Sequence, residues 1–262
     1  MDFIFDYYFD FNLMGDEFGR VLDGFWITIK LSIISGALAL VWGLVLSVLR
    51  QLPGRAMAPV RGLAIAYIDV FRGIPLLLIL FLVSGFMSAA QADGLLPREI
   101  GIPTWFGENS PFWYGVISLT ITYGAYMAEV YRAGIEAVPH GQVEAARSLG
   151  MSHGQAMRQV IVPQAVRKVI PPLLNDFIAL MKDTSLVGVL GAIEVVKAGQ
   201  DVQSEFFNGS ALTLGALMFL VVTIPLARIV DRLIARQQAR YERGGGGGDG
   251  GAVVVPQPAP VT

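Results

Sequence analysis

The sequence predicts an all-α membrane protein of about five transmembrane helices. Of its 262 residues, 54% are hydrophobic and only 15% are charged, against about 45–50% and about 25% in ordinary soluble domains. Too few polar side chains remain to cover a globular surface. Five stretches also reach the roughly 20 mostly apolar residues that a helix needs to cross the hydrocarbon, where every backbone polar group must be paired internally.

In chain order, residues 1–24 form an acidic segment with Asp2, Asp6, Asp10, Asp16, Glu17 and Asp23 against a single basic residue, Arg20. The apolar stretches follow at 25–49, 63–90, 112–132, 166–190 and 210–235. Residues 98–110, rich in Gly and Pro, read as an external loop or short interfacial element. Lys and Arg cluster after the first, third and fifth stretches, as at Arg50, Arg55, Arg132, Arg147, Arg232 and Arg236. The positive-inside bias therefore puts the N-terminus outside and the C-terminus in the cytoplasm. The membrane domain is expected over 25–240, and the Gly- and Pro-rich run at 241–262 as a disordered cytoplasmic tail.

Charge and composition exclude several chemistries. Lys and Arg total 19 against 21 Asp and Glu and form no basic stripe, so nucleic acid is not expected as a partner. The absence of cysteine removes thiolate catalysis and Cys-ligated metals, and two histidines, His140 and His153, leave little for a metal site. There is no G-x-x-x-x-G-K-[ST] phosphate loop, and H-E-x-x-H does not occur. The chain is thus expected to be non-catalytic, with any ATP handled by another subunit.

The connection at 133–165 exceeds thirty residues, where helix connections in bundles run to about 2–8. Pro139 can open a helix that continues through Leu149, and Gly150 is a natural stop. Ser152 and Gln155 have capping-box spacing ahead of a second helix, expected to end at Pro163. Ala145 and Ala146, flanked by Glu144 and Arg147, give a helix of little bulk with fixed charges, suited to a groove on another protein. The alternative is a solvated loop that covers helix ends.

The run EAARSLGMSHGQAMRQVIVP resembles the EAA loop of ABC-importer permeases, with Glu144, Ala145, Ala146, Gly150 and Pro163 in register and Val160 and Val162 replacing Ile and Leu. The resemblance implies a type I, MetI-like importer fold in which this loop is the coupling helix. Glu144, Ala145, Ala146, Arg147, Gly150 and Pro163 are then the residues that meet the ATPase. It further implies two ABC ATPase subunits carrying ATP and Mg, a second permease subunit in a homo- or heterodimer, an extracytoplasmic solute-binding protein, surrounding membrane lipid, and no cofactor in this chain. AYIDVFRGIPLLLILFL and VIPPLLNDFIALMKDTSL resemble signatures of the polar amino acid branch, which implies an amino acid substrate. Ile74 and Ile79 stand where that branch commonly carries Thr and Gln.

Ionisable residues cost about 2.5–3.5 kcal/mol each at mid-bilayer on insertion scales, so they face an interior path or a partner. Asp69 and Arg72, like Glu129 and Arg132, are three residues apart on one helix and can neutralise each other. Asp176 and Asp183 differ. Seven residues return almost to the same helical face, so two carboxylates look into one place, where a ligand ammonium or guanidinium would offset their desolvation. Thr184 and Ser185 add hydroxyls, and Pro171, Pro172 and Gly188 invite broken backbone at a midplane site. Glu129 is a further substrate-site candidate. The competing possibility is that Lys182 or a neighbouring arginine cancels Asp183 while Asp176 and Asn175 cap a kink. Two functions follow: a passive permease subunit driven by an external ATPase, or an ion-coupled secondary amino acid carrier using Asp176, Asp183 and Glu129 as a relay.

Overall fold

Apolar runs punctuated by Gly and Pro produce helices throughout, and the computed structural model describes residues 2–97 and 110–244 with no strand among them. Two short helices, α1 (Asp2–Tyr8) and α2 (Phe11–Asp16), precede the 33-residue α3 (Phe18–Arg50). Then come α4 (Ala58–Gly73), α5 (Leu76–Ala92) and α6 (Ser110–Glu136). The long connection holds α7 (His140–Ser148), α8 (His153–Ala156) and a π-turn over Met157–Ile161. It leads into α9 (Val162–Asp183), a 3₁₀ helix (Thr184–Leu190), α10 (Val195–Phe206) and α11 (Ser210–Gly244).

Helix α6 is the hub, packing against α3, α4, α5 and α9. Leu31, Leu80, Phe112, Leu119, Met127 and Leu180 are fully buried around it. Its most extensive packing is against α3. A Cβ on Gly43 would lie 2.9 Å from the Gly124 carbonyl oxygen, and one on Gly124 would lie 2.6 Å from the Trp42 ring. Only hydrogen at both positions lets the two backbones touch.

All five predicted apolar stretches fall on helix. Helices α3 and α11 are each long and apolar enough to cross a membrane, and α4 with α5 makes a third span if the bent pair counts as one. Helices α6 and α9, at 27 and 22 residues, have polar side chains mixed into the apolar pattern. They stand among other helices, so less of their surface needs to be apolar.

Three local expectations are corrected. The stretch at 63–90 is not one straight span: α4 and α5 meet at 111°. Pro75 lacks an N–H and pushes the residue before it out of the helical region, and Ile74 is extended at φ −93°, ψ 132°. Pro163 does not end a helix but sits in the first turn of α9, where its missing N–H has no intrahelical partner to lose. Pro171 and Pro172 do not break α9, which stays α-helical to Asp183 and tightens to 3₁₀ only afterwards. The loop expected at 98–110, apart from Ser110, and the tail beyond Gly244 lie outside the described residues; residues 241–244 continue α11.

Candidate functional site

The bend between α4 and α5 leaves a cavity of about 490 Å³ against α6 and α9. Each element contributes through its own geometry. The break presents Arg72, Gly73, Ile74 and Pro75; α6 brings Thr122, Tyr123 and Tyr126; α9 brings Asp176, Ala179 and Asp183. The seven-residue spacing thus does direct both carboxylates into one space.

The two carboxylates are held differently. Asp183 accepts a 2.8 Å hydrogen bond from the Tyr123 hydroxyl. Asp176 Oδ2 is buried without a hydrogen-bond partner. An orphaned carboxylate oxygen is costly to bury and is satisfied when a cationic group arrives. Neither Lys182 nor any arginine pairs with Asp183 among the described ion pairs, and Asp176 makes no described hydrogen bond to Asn175. Among the described residues, neither Asp176 nor Asp183 is closed off by a side-chain ion pair.

Arg72 lines the same cavity. Rather than pairing with Asp69, its guanidinium lies 5.7 Å from the centre of the Tyr126 ring, while the Tyr126 hydroxyl donates to the Arg72 carbonyl at 3.4 Å. Arg72, Thr122, Tyr123 and Tyr126 complete a site that sequence spacing could not assemble, because they come from two other elements. The arrangement offers one cation, two carboxylates and three hydroxyls, which suits a small zwitterion.

The other predicted residues lie outside the cavity. Thr184 is fully buried and donates to the Met181 carbonyl at 2.7 Å. Ser185 is half-buried in the following 3₁₀ turn, away from the lining. Glu129 belongs to a network nearer the far end of α6, where it accepts from Arg50 at 2.7 Å and pairs with Arg132, which in turn pairs with Glu136. The expected Glu129–Arg132 pair is present within α6, and the Arg50–Glu129 pair fastens α3 to α6.

The network sits just before the long connection. There Gly150 adopts φ +81°, the left-handed backbone that glycine tolerates, and stops the turn after α7. Ser152 and Gln155 form the full capping box. Ala146 is buried, and Val138, Ile161 and Ala165 form the patch beneath the connection with Val143 packed on it. Glu144, Ala145, Arg147 and Pro163 are exposed, and Leu149 is 84% exposed. The connection is thus a fixed knob with an outward face, though Ala146 belongs to its inner side.

One buried carboxylate escaped sequence reasoning. Glu194, in the connection between the fourth and fifth predicted spans, is fully buried and caps α10 by accepting from Val196 N and Lys197 N, both at 2.8 Å. Burial pushes its carboxyl up to about 7 despite those two donors. Its signal was the capping position, hidden among apolar neighbours.

Residues 39–243 match the family model described as "Binding-protein-dependent transport system inner membrane component". Among curated relatives, "Probable glutamine ABC transporter permease protein GlnM" of Bacillus subtilis is 35% identical over 236 residues, covering 88% of this chain and 99% of that one. "Glutamate/aspartate import permease protein GltK" of Escherichia coli is 30% identical over 235 residues, with the same coverage. A solved structure described as "Crystal structure of an amino acid ABC transporter with histidines" superposes with a TM-score of 0.71 at 32% identity, covering 85% of this chain and 96% of that one.

Proposed function

The chain belongs to the family of binding-protein-dependent transport system inner membrane components, and from that premise we propose that it forms a translocation path for a polar amino acid. Its relatives are amino acid ABC transporter permeases, and this favours the importer permease over the ion-coupled carrier. The family is one of membrane subunits. ATP and Mg are accordingly assigned to two partner ATPase subunits, and substrate delivery to an extracytoplasmic solute-binding protein. A second permease subunit completes the pore. In this reading the N-terminus is outside, the C-terminus is cytoplasmic, residues 25–240 are the permease domain, and 241–262 are a tail.

The observation that carries the substrate site is the cavity that Arg72 lines together with Asp176 and Asp183. An amino acid zwitterion fits that pattern: Arg72 takes the α-carboxylate by a charge-assisted pair, and the orphaned Asp176 oxygen takes the ammonium. Tyr123 fixes Asp183 as the second acceptor. The ligand binds one state of the path more tightly than the other, and ATP-driven closure of the partners reverses that preference through the knob at 133–165. Glu144, Ala145, Arg147, Gly150 and Pro163 form the contact, with Ala146 as its inner support. Thr184, Ser185 and Glu129 support the path without touching the ligand.

Uptake of labelled amino acid into vesicles holding the assembled transporter tests the site. Asp176→Asn and Arg72→Gln should each cut uptake at least about tenfold, the loss of about 1.4 kcal/mol of discrimination, while stimulated ATP turnover persists. Normal uptake in both variants would rule out the cavity as the substrate site.

A further inference from the structure

The segment before α3 lies outside the family match and is nonetheless firmly placed. Gly209 N donates to the Tyr7 carbonyl at 2.8 Å, Asp10 N donates to Ser210 Oγ at 2.8 Å, and Gln203 Nε2 donates to the Tyr7 hydroxyl at 2.9 Å. The Tyr7 and Tyr8 rings press so closely on Gly209 that a Cβ there would lie within 3.0 Å of both. Helices α1 and α2 are thereby pinned to the turn where α10 ends and α11 begins.

What this pinned pair presents outward is apolar. Phe3 is 78% exposed and Phe11 70%, with Ile4, Phe5, Tyr8 and Phe9 exposed between them. Phe5 stacks on Phe9 with centroids 5.2 Å apart, so the rings are arranged as a surface. The apolar face continues into Phe18, Leu22 and Trp26, exposed on the first turns of α3, and into Phe206 and Phe207 beside the start of α11. The ends where the two helices long and apolar enough to cross a membrane begin thus carry exposed apolar side chains as well.

We propose that α1 and α2 form an interfacial anchor that seats these aromatic rings in the headgroup layer of the leaflet where α3 begins. Aromatic side chains concentrate at that depth because their apolar rings and polar edges suit the two sides of the boundary. The charge selects the lipid. Asp6, Asp16 and Glu17 lie among the rings, and no Lys or Arg precedes Arg20. The patch therefore repels anionic headgroups and favours zwitterionic lipid, whose ammonium group can pair with a carboxylate and rest over a ring. The anchor relies on α3 and α11 being membrane spans and on nothing about the substrate site.

Phe11→Trp and Phe3→Trp, each placed in the full chain in lipid nanodiscs, test the anchor by difference from the parent emission. With phosphatidylcholine brominated near the headgroup end of its acyl chains, each added tryptophan should lose about half or more of its emission. Replacing half of that lipid with unbrominated anionic phosphatidylglycerol should weaken the quenching less than the same replacement with unbrominated phosphatidylcholine, because the anionic lipid is kept away from the patch; equal weakening overturns the lipid preference. An added tryptophan that emits as a water-exposed group and is unaffected by bromine overturns the proposal. So does one that is shielded only when solute-binding protein or a second copy of the chain is added. Quenching of the parent's own emission, to which its four tryptophans contribute, reports on insertion of the spans, so a failed anchor is distinguishable from a failed span.

Discussion

At the scale of single residues, the site depends on what burial leaves unsatisfied. Asp176 has an acceptor oxygen with no donor, and Asp183 has one donor from Tyr123, so the two acids are not equivalent. Their pairing was legible in the sequence because a spacing of seven returns to one helical face. Arg72 was legible as an ionisable residue but not as part of the same site, since its ring partner Tyr126 is 54 residues further along the chain. Glu194 offers a separate titration. Its carboxyl sits near 7 in the folded chain, against 4.5 for an ordinary glutamate carboxyl. Between those values the folded state holds a proton that the unfolded state has released, so stability falls as pH rises through this window. The contribution is complete below about 4.5, absent above about 7, and at most about 3 kcal/mol. Glu194→Gln keeps one capping oxygen without the charge, and its melting point should fall less than the parent's between pH 5 and pH 8. Equal falls would mean that Glu194 does not titrate there.

At the scale of elements, hydropathy located the helices, and turn chemistry decided where they bend. The 111° elbow was encoded in Gly73 and Pro75, yet continuous apolarity on both sides concealed it. Pro163 and the pair Pro171–Pro172 misled in the opposite direction. A proline in a first turn has no intrahelical N–H bond to lose, and neighbouring helices can hold a proline-containing helix together. The connection between α6 and α9 was the most legible part, because the Ser152–Gln155 box and Gly150 act locally and need no tertiary partner. Its exposed face carries the coupling prediction. Glu144→Lys alters charge at an exposed position on α7 without disturbing buried Ala146. It should leave the melting point of the chain within about 1 °C, the small change expected of a surface substitution. ATP-dependent uptake should fall at least about tenfold, about 1.4 kcal/mol of coupling. Unchanged uptake would mean that this face does not meet the ATPase.

At the scale of the molecule, the parts form one mechanical path. The knob joins α6 to α9; the Arg50–Glu129–Arg132 network ties α6 to α3 just above it; and the same α6 and α9 carry Tyr123, Asp176 and Asp183 at the cavity. In the proposed mechanism a displacement of the knob reaches the carboxylates through α6 and α9. The family and its apolar length were plain from composition and motif. Gly73 and Pro75 signal the break, but the cavity it opens emerged only in three dimensions, where α5 packs against α6. The most direct test is uptake of labelled amino acid into proteoliposomes containing this chain, its ATPase and second permease subunits, and saturating solute-binding protein. Accumulation should require ATP hydrolysis and be unaffected when proton and sodium gradients are collapsed. Accumulation driven by an ion gradient in vesicles that hold this chain without the ATPase would contradict an externally powered permease.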